Sequence, residues 1–236
     1  VSSFFPVMFF FIAFIIGLGA GASVLIGQAW GARDAAKAKA VAGTTLTVGL
    51  LLGLAIAVFG GLFTTPMLAM LGTPPDVLAD STRYARIMLI AMPGVFLFLL
   101  ATAMLRGVGD TITPLLTLVI STAIGLVVTP ALIRGWGGLP QLGVAAGAWA
   151  SVLSFAVATT WLGFRLRQKK SPLAPDAEFV RCLRIQPQLL KAVLKIGVPT
   201  GVQMIVVALA EVVLLSMVNS YGSNATAAYG AVNQVV

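Results

Sequence analysis

Six uninterrupted apolar stretches, each about as long as a membrane-spanning helix, decide what this chain can fold into. They run over Phe4–Gly27, Thr44–Phe63, Ile87–Leu105, Pro114–Ile133, Leu142–Phe164 and Ile196–Val218, and a seventh begins near Ala225. A helix needs about 20 apolar residues to cross the hydrocarbon core of a bilayer. The stretches are too long and continuous for buried strands. They also lack the polar–apolar alternation of a membrane β-barrel. Composition agrees: of 236 residues, 59% are hydrophobic and 9% charged, against roughly 25% charged in a soluble domain. So few polar residues cannot cover a soluble surface, and the same figures exclude disorder. The expected class is an all-α, polytopic transmembrane helix bundle.

Basic residues orient the bundle. Arg33, Lys37 and Lys39 follow the first stretch, and Arg106 follows the third. Arg165, Arg167, Lys169, Lys170, Arg181, Arg184, Lys191 and Lys195 follow the fifth. The alternate loops hold only Arg83, Arg86 and Arg134. An excess of Lys and Arg marks cytoplasmic loops, so Val1 is expected outside. The net charge of +8 then belongs to those loops, and no nucleic-acid partner is expected. The chain opens on Val1 and closes on Val235-Val236, both in apolar surroundings, so a fragment of a longer protein is expected.

Absences remove whole chemistries. There is no His and a single Cys, Cys182. A Ser-His-Asp triad, a Cys-His pair and a His metal site are unavailable to the chain, as is an intrachain disulfide. An intramembrane enzyme, a resident metal and an organic cofactor are not expected.

The basic segment after the fifth stretch is the best domain boundary. Gln168–Pro175 is polar and holds Pro172 and Pro175, a linker signature. Asp176–Lys195 mixes Phe179, Val180, Leu183, Leu189, Leu190 and Leu194 with basic residues. Two readings stand: a short helix lying on the inner leaflet, or a solvated connector. Small residues four apart, as at Gly17/Gly21, Gly49/Gly53 and Gly143/Gly147, let helix backbones approach closely in lipid. Pro93, Pro130 and Pro199 are expected to free carbonyls and kink helices.

Six of the seven acids fall in loops; Glu211 lies inside the apolar run Val202–Val218. A charge at the bilayer centre costs about 2.5–3.5 kcal/mol on insertion scales, so such a residue is a functional candidate by default. At 100° per residue, Thr200 lies within about 20° of Glu211 and Gln203 about 80° away. Thr200, Gln203 and Glu211 thus share one helix face. Asn219, Tyr229, Asn233 and Gln234 gather near the start of the next stretch.

The chain resembles the MATE family, the multidrug and toxin extrusion antiporters, in its NorM-like branch. The residues are Gly19-Ala20-Gly21-Ala22-Ser23-Val24-Leu25-Ile26-Gly27-Gln28 followed by Gly31-Ala32-Arg33-Asp34. Arg106-Gly107-Val108-Gly109-Asp110-Thr111 with Pro114 resembles the loop between the family's helices four and five. Lys195-Ile196-Gly197-Val198-Pro199, opening the helix with Glu211, resembles helix seven.

The resemblance implies a two-lobe protein of twelve helices, of which this chain holds about seven. Residues 1–167 would carry helices two to six of the amino-terminal lobe, and 168–195 the cytoplasmic linker. Residues 196–236 would hold helix seven and the start of helix eight. It further implies a multi-pass protein of the inner membrane, monomeric and in contact with lipid. The implied activity is export of cationic amphipathic drugs in exchange for H⁺ or Na⁺. By the same resemblance Glu211 matches the acidic cation-binding position, with Na⁺ as a possible occupant, and Gln234 a polar position facing it. Gln203, Thr200 and Asn233 complete the expected cation and substrate site. The family's amino-terminal-lobe ion site carries Asn and Asp on helix five. This chain has Gly125 and Thr129 there, which favours coupling around Glu211. The alternative is a lipid-linked oligosaccharide flippase of the same superfamily, which would want an intramembrane Arg or Lys. None of the basic residues lies mid-stretch.

Overall fold

The described residues of every apolar stretch are α-helical, with the third stretch divided at Ala91 between two helices. A computed structural model describes residues 5–70, 75–134, 145–169, 171, 173–174, 179 and 182–219. It describes their side chains except at 5–10, 67, 70, 75–77, 208, 211–212, 215–216 and 218–219. The helices are α1 (Phe5–Gly31), α2 (Ala35–Met70), α3 (Pro75–Ile90), α4 (Met92–Gly107), α5 (Ile112–Arg134), α6 (Ala145–Gln168) and α7 (Pro187–Asn219). No strand occurs among the described residues. Five helices are long and apolar enough to cross a membrane, and α3 with α4 makes a sixth crossing bent by 49°. The seventh stretch lies outside the described residues.

The third stretch is therefore broken rather than continuous. Pro93 has no N–H for the helix ladder. Gly94 and Val95 instead both donate to the carbonyl of Ala91, at 3.0 and 3.2 Å, which restarts the helix in a new direction. α2 lies across this corner: a Cβ on Gly53 would sit 2.6 Å from Pro93 Cα. α4 runs through the middle of the core, with Phe96, Leu100 and Met104 almost fully buried. Phe98 packs on Phe155 of α6, ring centroids 5.1 Å apart. The outside is apolar too: Leu62 is 69% and Leu126 72% exposed. That is the surface of a bundle solvated by lipid.

Three connections gather at one end. Between α1 and α2, Arg33 adopts φ +59°; between α4 and α5, Gly109 adopts φ +83°. Both turns close with the same bonds. Asp34 N–H reaches Ala29 O at 2.9 Å, and Asp110 N–H reaches Leu105 O at 3.0 Å. A left-handed residue with such a six-to-one bond is the Schellman helix stop. Each turn is followed by an acid that caps the next helix. Asp34 accepts from Lys37 N–H at 2.9 Å, and Asp110 from Thr113 N–H at 2.9 Å, satisfying first-turn donors.

The third connection is the strap between α6 and α7. Leu173, Ala174 and Phe179 are buried in the same core as α2, α4 and α6, and burying a Leu or Phe side chain supplies about 1.5–3 kcal/mol. These three residues dock on protein, while Leu183, Arg184, Ile185 and Gln186 are exposed. Its backbone passes Gly43 of α2 so closely that a Cβ there would collide with Cys182 O. The helix after it starts at Pro187, earlier than the apolar run. Gln186 supplies the first carbonyl, to Leu190 N–H at 2.9 Å, and Pro187 fits the first helical position, where no N–H is needed.

Candidate functional site

α7 carries the sequence-predicted site and packs most extensively against α1. The seam is made by glycines. A Cβ on Gly17 would stand 2.5 Å from Gly197 O, and one on Gly197 2.6 Å from Gly17 O. Gly21 likewise lies against the carbonyl of Val193. No side chain separates the two backbones there. Beside this crossing is an apolar cavity of about 110 Å³, lined by Phe14, Leu18, Val198, Val202 and Ile205 among others.

Pro199 leaves the carbonyl of Lys195 without its ladder donor. The Thr200 hydroxyl donates to the neighbouring carbonyl of Ile196 at 3.1 Å. Thr200 is half-buried, whereas Gln203 is exposed. The structure therefore does not gather these two at one point, since Gln203 turns away from the α1 seam. Glu211 lies on α7, about two turns before the helix ends at Asn219. It is 14 residues beyond Gly197, within about 40° of the same register and about 21 Å further along the axis. The glycine crossing pairs Gly17 with Gly197 and Gly21 with Val193, so Glu211 lies beyond the described start of α1 at Phe5. The Glu211 side chain, and Asn233 and Gln234 entirely, lie outside the described residues.

Among the described residues, α5 and α6 carry a line of buried hydroxyls. On α5, Thr113, Thr117 and Ser121 are buried. Thr117 donates to Thr113 O at 2.7 Å, and Ser154 of α6 donates to Ala150 O at 2.7 Å. A Cβ on Gly125 would stand 3.5 Å from Ser154 Oγ. Gly125 and Thr129 are half-buried, and neither supplies a charge. The Thr117 and Ser154 hydroxyls are thus satisfied within their own helices.

Sequence reasoning missed one ionic cluster. Lys169, just past α6, donates to Thr113 Oγ1 at 2.9 Å and pairs with Asp110 Oδ2 at 3.3 Å. Thr113 Oγ1 donates to Asp110 Oδ2 at 2.6 Å. Burial pushes the Asp110 carboxyl up. The Thr113 hydroxyl and N–H and the Lys169 ammonium outweigh it and hold the group below its ordinary value. The only sequence signal was the Asp–x–x–Thr spacing at the start of a helix. Its partner in the ion pair is 59 residues away.

Residues 1–131 match the MatE family model. The chain is 48% identical over 235 residues to the probable multidrug resistance protein YoeA of Bacillus subtilis (strain 168), covering 100% of this chain and 51% of that protein. It is 28% identical over 231 residues to a FAD transporter of Shewanella oneidensis, covering 98% of this chain and 50% of that one. A solved MOP-superfamily transporter from Pyrococcus furiosus superposes with a TM-score of 0.84 at 26% identity, covering 100% of this chain and 51% of that chain. The chain spans about half the length of the relatives it matches.

Proposed function

The chain belongs to the MatE family, and on that premise we propose that it is a fragment, from helix two to the start of helix eight, of a cation-coupled antiporter that exports amphipathic organic cations. Residues 1–167 form the amino-terminal lobe, 168–195 the strap, and 196–236 begin the second lobe. The protein works as a monomer in the inner membrane, with its basic end in the cytoplasm. One observation carries the reading: Glu211 is the acid inside an apolar spanning run, on the helix that packs against α1.

A carboxylate in an apolar span is stabilised by a bound cation, so Glu211 holds H⁺ or Na⁺ when no drug cation is present. A buried carboxylate neutralises one cation well and two poorly. Ion and drug therefore exclude each other at Glu211. Thr200, Gln203, Asn233 and Gln234 supply neutral donors and acceptors around the pathway. One charge moving inward through about 100 mV supplies about 2.3 kcal/mol, which drives drug outward as the lobes rock about the site. No cofactor takes part.

The test uses the full-length protein in proteoliposomes. Efflux of a fluorescent organic cation is followed under an imposed H⁺ or Na⁺ gradient, with Glu211→Gln alongside. Gradient-driven efflux that the substitution lowers more than about tenfold is the expected result, and the effective gradient names the coupling ion. Full coupled export by Glu211→Gln would sink the assignment. Flavin dinucleotide is assayed in parallel because one relative is named a FAD transporter. No cation movement under either gradient would favour the flippase reading.

A further inference from the structure

We propose that the strap is a permanent part of the amino-terminal lobe, latched to α2 at Gly43 and Thr44, and that it stays docked while the lobes move. The inference rests on the transport reading only for the motion it is set against. Thr44 is fully buried. Its hydroxyl donates to Arg184 O at 3.1 Å and accepts from Gln186 N–H at 3.4 Å. Gln186 in turn provides the first carbonyl of α7. One threonine therefore fixes where the helix bearing Glu211 begins.

Three independent features hold the strap down. Gly43 admits the backbone of Cys182 against α2, a fit that a side chain would block. Phe179, Leu173 and Ala174 are buried in the lobe's core. Thr44 satisfies one carbonyl and one N–H of the strap. Undocking would expose the three apolar side chains and break both Thr44 hydrogen bonds. At about 1.5–3 kcal/mol for each buried Leu or Phe side chain, the undocked state is sparsely populated. The strap thus moves with the amino-terminal lobe, and Thr44 is a positioning residue for α7.

The test again uses the full-length protein in proteoliposomes, with Cys182 kept as its single cysteine. Labelling of Cys182 by a membrane-permeant maleimide reports docking. The expected rate changes less than threefold when a gradient is imposed, and Thr44→Val raises it more than threefold. A larger gradient response, or a smaller effect of Thr44→Val, would overturn the proposal. A second variant removes the fit itself. In Gly43→Ala the added Cβ would collide with Cys182 O and lie 2.7 Å from Cys182 C, so this variant is also expected to raise Cys182 labelling more than threefold. Labelling of Gly43→Ala within threefold of the parent would overturn the proposal. If no form shows efflux, the transport reading fails, and the effect of Thr44→Val on Cys182 labelling still decides the latch.

Discussion

α1 and α7 meet backbone to backbone, whereas α5 and α6 keep side chains between them. In the first pair Gly17, Gly21 and Gly197 leave no group that could change rotamer. In the second, buried hydroxyls line the contact, and Asp110 with Lys169 closes one end. The contrast follows the proposed division of the molecule. The glycine seam joins the lobes through parts that cannot adjust, so the contact is either made or lost. The α5–α6 pair lies inside one lobe, where side chains can absorb small shifts. In lipid, where apolar burial between helices is worth little, close backbone approach is a main source of attraction.

Substitutions at the seam should have the largest effect. Gly21→Ala would drive a Cβ into the carbonyl of Val193, and overpacking of this kind costs roughly 1–3 kcal/mol. A lowered Tm of the detergent-solubilised full-length protein is the readout, and an unchanged Tm would break the contrast.

Asp110→Asn comes next. The folded carboxyl lies below its ordinary value, so its contribution is complete above the unfolded pKa of about 4 and lost as pH falls through the lower folded value. With both partners partly exposed, the ion pair contributes under about 1 kcal/mol. The Tm gap between wild type and Asp110→Asn should be present at pH 7 and close below about pH 4. A gap independent of pH would show that the charge is not what matters.

Gly125→Ala should do least. Its Cβ would sit at ordinary contact distance, 3.5 Å from Ser154 Oγ, so Tm should move by no more than about 0.5 kcal/mol equivalent. A loss as large as that of Gly21→Ala would erase the difference between the two helix pairs.

The spans were legible in the sequence because lipid imposes length and continuity on them. The bend near Ala91 was legible as the kink expected at Pro93, but its sharpness, which splits the third stretch into two helices at 49°, was not, because the apolar run reads straight through it. Helix ends were also hidden: α2 extends well beyond Thr44–Phe63 at both ends, where amphipathic and polar residues continue the helix past the apolar window. The strap shows a different limit. Phe179 and Leu173 read as apolar in a basic segment, but pattern alone does not say whether lipid or protein receives them. For the candidate site, the rank of Glu211 and the polarity of Thr200 were visible in the sequence. The outward turn of Gln203 depends on which face of α7 meets α1, a fact held by glycines on both helices.

The seating of the strap on α2 also bears on how such a protein is made. Thr44 and Arg184 are 140 positions apart, yet the proposed division places both in the portion synthesised before the second lobe. At about 5–20 residues per second, a ribosome leaves seconds between the emergence of the strap and that of a helix many tens of residues later. On that division the first lobe can seat the strap on α2 in that interval, before its partner is complete.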